Sequence, residues 1–460
     1  MTELLTAEAD ETAAPERTVT RALTEHLSSM TLQAMSPEAL RVAKQCLLDW
    51  LGVTLAGRNE PLVDILVAEL APEDAAGGAT VIGRGRRARF DDAVLINGAM
   101  GHALDFDDVI MPMGHPTAPV APVALSLAEH TGAAGADALM AYITGVEAEC
   151  RIARLVGSSH YAKGWHATAT LGTFGAAMAA ARLLGVEGEA LTHAFGIAGT
   201  QAAGLKSVFG TMSKPLHPGK AAANGLLAAR LAARGFTSDV YILQSKQGFT
   251  DTQSTTANAD AALEDRVQPW VVEALFKYHA ACYLTHDSIE AANALRVEEK
   301  ILLEAVEFVS VKVPPGHLGV CNIQDPQTGL ECKFSLRMTT ALALAGEDTF
   351  QDGLFTDETA RRPDLVALRG RVEIDPTQVG RGCVVTVRLK DGRTLARTGD
   401  VSQPMRDLDA QQAKIERKFR HLAVPAIGEG ATEQVIAILR DLERQPDVRS
   451  LMSVCAGGRA

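Results

Sequence analysis

The chain has 460 residues, 47% hydrophobic but only 5% aromatic, enough for two domains with an ample core and a composition that favours close-packed helices over a β-sandwich. A formal charge of −12 argues against nucleic acid and against an anionic membrane surface as partners. Seven scattered cysteines with no C-x-x-C pair read as reduced thiols in a cytoplasm, not as a disulfide framework, a zinc site or an iron–sulfur cluster.

Residues 1–17 are polar and acidic, lack the apolar core of a signal peptide or anchor, and are expected to form a disordered tail. From Thr18 to about Phe236 the apolar period is helical almost throughout. Helices are expected over Glu38–Ala56, Asp91–Leu104, Ala121–Glu129, Ala136–Val156, Ala169–Leu184 and Leu191–Leu205. The run Gly172, Gly175, Ala176, Ala177, Ala179 and Ala180 lets helix axes approach tightly, whereas Gly83-Arg84-Gly85 is an isolated glycine pair that supports no further reading. The Gln/Thr/Ser/Asp-rich stretch 244–262 reads as an exposed linker or flap. Beyond it, Ala305–Val313, Leu368–Ile374 and Cys383–Leu389 alternate like strands, and Asp391-Gly392-Arg393 signals a hairpin turn. Helical pieces at His286–Leu295 and Ser335–Ala345 complete an α+β unit. After Ser402 helices return (Met405–His421, Thr432–Leu442) and are expected to pack back on the first domain.

The segment Ser213-Lys214-Pro215-Leu216-His217-Pro218-Gly219-Lys220 precedes a helix expected from Gly219 to Arg234. Its two prolines predict a rigid loop carrying Lys214 and His217, set before a helix N-terminus whose free N–H groups suit a carboxylate. Lys220 reads as a solvated residue of the first turn. The same construction recurs at Gly114-His115-Pro116-Thr117 and at Lys163-Gly164-Trp165-His166-Ala167, so three cationic helix entrances suggest a substrate with more than one carboxylate.

Gly101-His102-Ala103-Leu104-Asp105-Phe106-Asp107-Asp108 ends a small-residue helix in a carboxylate cluster. Helical spacing puts Asp105 and Asp108 on one face and turns Asp107 elsewhere, with His115 a candidate counter-cation. Asp105 is read as functional; Asp107 and Asp108 either join it or cap turns. His166 is either a hydrogen-bonded core histidine or a site residue. Lys277-Tyr278-His279-Ala280-Ala281-Cys282-Tyr283 is an inventory for proton transfer, or else a helix with Tyr278, Ala281 and Cys282 on its apolar face. No H-E-x-x-H, G-x-S-x-G or P-loop pattern occurs.

Taken together, these segments resemble the MmgE/PrpD family. The matching residues are Gly101 to Asp108 with His115-Pro116, Gly164-Trp165-His166, Gly210 to His217, and Lys277 with Cys282-Tyr283, over nearly the whole chain. The family contains 2-methylcitrate dehydratase, cis-aconitate decarboxylase and iminodisuccinate epimerase, which act on small di- or tricarboxylates without metal or organic cofactor. The resemblance implies a mainly α protein: a large all-helical domain from both ends of the chain (18–268 plus 404–460), an inserted α+β lid domain (269–403), and a homodimer. It places the active site in the cleft between the domains. By motif position Asp105, His115, His166, Lys214 and Lys277 fall on pocket residues, and His217 matches too. The candidate set is therefore Asp105, His166, Lys214, Lys277 and Cys282 for catalysis, with His115, His217, Lys163 and Tyr283 for substrate binding. Three positions depart from the pattern. Val109 replaces a common Ser or Thr, and Met338 replaces a tyrosine of several members. Cys282 stands where decarboxylases carry histidine but matches the epimerase-like branch, as do His160-Tyr161 and Gly164-Trp165-His166.

The expected chemistry is proton removal from carbon next to a carboxylate. His166 is the proposed base, helped or replaced by Cys282 or Lys277, while Lys214, His115 and the helix N-termini stabilise the developing charge. A hydro-lyase of the 2-methylcitrate dehydratase type is the lead expectation and a dicarboxylate epimerase the alternative. Decarboxylation and non-catalytic carboxylate binding rank behind them.

Overall fold

Helices dominate the computed structural model, which describes residues 18–75 and 77–458, so the expected tail lies outside the described residues. The helices of ten or more residues are α1 Val19–Ser29, α2 Pro37–Gly57, α3 Pro61–Leu70, α4 Phe90–Met100, α5 Thr117–Thr131, α6 Gly135–Ala162, α7 Ala167–Leu184, α8 Gly188–Gln201, α9 Ser213–Ala232, α10 His286–Glu298, α11 Leu336–Ala345 and α12 Leu408–Arg440. Local chemistry marks their ends. Ser36 caps α2 by accepting from the amide of Ala39 with Pro37 in the first turn, and Gly132 and Gly185 close α5 and α7 in the left-handed conformation.

At the centre, α7 packs on α5, α6, α8 and α9, and every residue from Ala167 to Ala181 is buried. Glycine makes this packing possible. A Cβ on Gly225 of α9 would sit 2.5 Å from both Thr173 O and Ala177 N of α7, and one on Gly98 of α4 would sit 2.8 Å from Gly219 Cα. Helix α12, the one described helix long and apolar enough to cross a bilayer, instead packs along α2 and is broken at Gly428.

A four-stranded sheet of β3 Val306–Lys312, β4 Val372–Asp375, β5 Cys383–Leu389 and β6 Thr394–Gly399 has the order β4-β3-β5-β6, with β3 parallel to β4 and the other pairs antiparallel. Val309, Val311, Val385 and Val387 alternate inward, and α10 and α11 cover that face. A short hairpin of β1 Ala79–Val81 and β2 Arg86–Ala88 turns through Gly83 and Gly85, which gives that glycine pair its purpose. The helical body and the sheet unit each hold their own apolar core. A third cluster joins them, with Val53, Phe106 and Leu422 meeting Cys332, Met338, Leu342, Phe355 and Leu365.

Three local expectations change. The 244–262 stretch is no free flap: Phe249 is buried, Asn258 N donates to Leu155 O at 2.8 Å, and Ser254 Oγ donates to Val156 O at 2.7 Å, filling the break in α6 at Gly157. Residues 363–369 form a helix opened by Pro363, so the strand starts only at Val372. Lys214 and His217 lie not on a loop but in the first turns of α9.

Candidate active site

Helix α4 stops at Met100, and a series of turns carries the chain to Asp105, a non-glycine residue in the left-handed region (φ 51°) with its amide bonded to His102 O at 3.1 Å. That reversal breaks the helical spacing, so Asp107 rather than Asp108 turns toward Asp105. His115 bridges the two, with Nε2 3.3 Å from Asp105 Oδ1 and Nδ1 3.2 Å from Asp107 Oδ2. Behind it, buried His102 places Nδ1 2.9 Å from Asp107 Oδ1, and its ring meets that of His115 edge-on at 4.6 Å.

Two lysines converge on the same carboxylate. Lys214 Nζ lies 2.8 Å from Asp105 Oδ1, and Lys277 Nζ lies 3.3 Å from Asp105 Oδ2 while donating to the Asp105 carbonyl at 2.5 Å. Burial alone would raise the pKa of Asp105, but Lys277, Lys214 and His115 reverse the sign and hold it well below the usual carboxylate range. Its side chain is nevertheless 50% exposed, so the carboxylate stays open to solvent among these cations.

His166 N-caps α7 and donates its amide to Gly204 O at 2.9 Å. Its Nδ1 faces His217 Nδ1 at 2.9 Å, and Phe209 presents an edge to its ring. Burial, then His102 and Lys214, keeps His166 neutral far below its ordinary titration range; burial and Lys214 lower His217 as well. Between two neutral rings, a shared Nδ1–H···Nδ1 bond leaves one Nε2 bare and the other protonated, a paired base and acid. The starts of α5, α7 and α9 meet here: the His115 amide donates to Thr168 Oγ1 of α7 at 3.2 Å, and His217 of α9 faces His166. The helix ends add positive potential to two ammonium groups.

Deeper support comes from α12. Lys418, fully enclosed, pairs with Asp49 at 2.6 Å and donates to Phe106 O at 2.7 Å, fixing the peptide between Asp105 and Asp107. Cys282 lies at the edge of the group, partly exposed, within electrostatic reach of Lys277 and Asp105.

The structure thus brings together Asp105, His115, His166, Lys214, His217 and Lys277, with Cys282 beside them. It does not bring in Lys163, whose Nζ donates to the carbonyls of Thr252 and Ser254 at 3.2 Å each, nor Tyr283, whose hydroxyl donates to Val401 O at 2.7 Å. Both are tied to backbone elsewhere. The candidate list missed His102 and Lys418, and it left Asp107 open. His102 stood in the motif, but only the turn at Asp105 shows which groups face each other. Ligand atoms of His102, Asp105, Asp107 and His115 lie within 4.8 Å of one another, a spacing that can surround a cation, but the two ammonium groups on Asp105 oppose a divalent ion there.

Comparison with known proteins adds to this geometry. A family model described as the MmgE/PrpD N-terminal domain matches residues 21–262, and one described as the MmgE/PrpD C-terminal domain matches residues 279–444. Cis-aconitate decarboxylase of Homo sapiens is 26% identical over 96% of this chain and 95% of its own length. The enzyme of the same name from Aspergillus terreus is 25% identical over 95% of each chain. The cis-aconitate decarboxylase-like protein oryM of Aspergillus oryzae is 25% identical over 96% of this chain and 98% of its own.

Proposed function

The chain belongs to the MmgE/PrpD family, and from that premise we propose that it is a lyase for a small tricarboxylate, acting by proton removal from carbon next to a carboxylate. The observation that carries this reading is the convergence of Lys214, Lys277 and His115 on one half-exposed carboxylate beside a neutral histidine pair. A substrate carboxylate reaching this cluster shares the two ammonium groups with Asp105. As the adjacent C–H bond breaks, negative charge moves into that carboxylate, and the same groups stabilise it more than they stabilise the ground state. His166 accepts the proton through its bare nitrogen. In the hydro-lyase form, which is our finer reading, the C–O bond then breaks, a double bond forms, and Lys277 supplies the proton with which the hydroxyl leaves as water.

Decarboxylation is a second reading, favoured by relatives of that name aligned over almost the whole chain. Cys282, standing where decarboxylases carry a histidine, weighs against it. Epimerisation keeps the same proton removal but returns a proton to the same carbon from the opposite side.

Proton NMR in deuterium oxide with 2-methylcitrate, citrate, cis-aconitate and iminodisuccinate separates the three. Dehydration is expected to give a new olefinic signal from a hydroxy acid, at a rate at least about 100-fold lower in Lys214→Met. A terminal olefin formed from cis-aconitate with release of carbon dioxide would replace dehydration by decarboxylation. Deuterium entering a saturated carbon without an olefin would establish the epimerase instead.

A further inference from the structure

The rim of the site holds a pair of thiols that the proton transfers written under the proposed function do not use. The amide of Cys282 donates to Lys333 O at 2.9 Å, and Leu336 N donates to the carbonyl of Cys321 at 2.9 Å, so both cysteines are stitched to the one short segment 333–336. A β-bridge between Asn322 and Ser335 holds the second strand of that stitch in place. Their side chains share one environment: Cys282 packs against the apolar cluster that contains Cys321, and each thiol is the largest influence on the other's ionisation. The Cys321 S–H also has the His317 carbonyl as an acceptor at 3.4 Å. Cys282 is partly exposed, whereas Cys321 is fully buried.

We propose that Cys282 and Cys321 form a peroxide-sensitive dithiol that closes to a disulfide and switches the enzyme off. Exposure decides the order of events. The Cys282 thiolate attacks a hydroperoxide, forming an S–O bond as the O–O bond breaks; the departing hydroxide takes up a proton and leaves as water. The buried Cys321 then loses its proton and attacks the sulfenic sulfur, forming the S–S bond as the S–O bond breaks, and a second water leaves. Two thiols are oxidised and one peroxide is reduced. The electrostatics suit these roles. Cys321 lowers the pKa of Cys282 against the opposing effect of burial, with help from the Leu284 amide and Lys277, and Cys282 together with burial pushes that of Cys321 up.

The loss of activity rests on the function proposed above, but the linkage does not, and the test reads the two separately. Purified full-length protein is treated with hydrogen peroxide, alkylated, and mapped by mass spectrometry with and without prior reduction. The expected result is a linked pair of peptides containing Cys282 and Cys321, while Cys46, Cys150, Cys332, Cys383 and Cys455 remain alkylatable. Turnover should fall in proportion to the linked fraction and return with dithiothreitol. In Cys321→Ser, and in Cys321→Ala should the serine variant fold poorly, basal turnover is retained. Oxidation then stops at a dimedone-reactive sulfenic acid on Cys282 or passes irreversibly beyond it. Free alkylation of Cys282 and Cys321 after peroxide, or linkage of Cys282 to another cysteine, overturns the proposal. Linkage without loss of turnover overturns the switch.

Discussion

Glu149 is fully buried in α6, and neither carboxyl oxygen has a hydrogen-bond partner. Burial pushes its pKa well above the ordinary carboxylate range, and fully buried Asp108 nearby raises it further. A carboxyl held well above its ordinary range keeps a proton in the folded protein that the unfolded chain releases above about pH 4.3. Its contribution to stability is therefore present below that pH and is lost as pH rises toward the folded pKa. Glu149→Gln keeps the shape of the neutral acid without that penalty. The variant is expected to match the parent near pH 4 and to gain about 1.4 kcal/mol for each pH unit above about 4.3, until the folded carboxyl itself ionises. Urea unfolding at several pH values measures this. A variant equally or less stable at pH 8 would mean that the carboxylate is charged and partnered.

At the scale of the element, α9 sets the geometry of the site because it must lie against both α4 and α7 to bring Lys214 and His217 inward. Gly225→Ala places a methyl 2.5 Å from two backbone atoms of α7, which the facing helix can relieve only by moving. A loss of about 1–3 kcal/mol in urea unfolding is expected, together with a fall in turnover as Lys214 and His217 shift. Unchanged stability would show that the helices are not in close contact there. The small-residue rows that permit this packing were legible in the sequence, as were most helix positions and the hairpin at Asp391-Gly392-Arg393. The true start of α9 was not. Pro215 is the third residue of the helix, where an amide has no intrahelical acceptor anyway, and Pro218 removes only the bond to Lys214 O, so two prolines fit a helix they seemed to forbid. The same kind of limit explains the carboxylate cluster. Spacing paired Asp105 with Asp108, but the left-handed turn at Asp105 sends Asp108 into the core and Asp107 onto His102 and His115, a reversal that no helical period encodes. Lys163 failed for a simpler reason: adjacency in sequence to His166 says nothing about which carbonyls a long side chain will find.

For the whole molecule, the body and the sheet unit have separate cores, and their coupling runs through the small cluster that contains Phe106 and Met338. Phe106 sits between Asp105 and Asp107, and its carbonyl accepts from Lys418, so the cluster that joins the two units also holds the segment that carries the two carboxylates. Met338 contributes from α11 with no exposed surface. Truncating it in Met338→Ala removes a flexible apolar filler at that junction, and a loss of about 2–5 kcal/mol is expected for a buried methionine. Where the loss falls is the more telling outcome. With the junction weakened, the units should unfold separately, so calorimetry should resolve two transitions where the parent gives one, and turnover should drop although no residue of the site has been changed. Hydrogen exchange would place the extra opening in 101–108 and along α11. A single transition merely moved to lower temperature, with exchange near Asp105 unaltered, would mean that the units are joined elsewhere and that the segment 101–108 is held from the body alone.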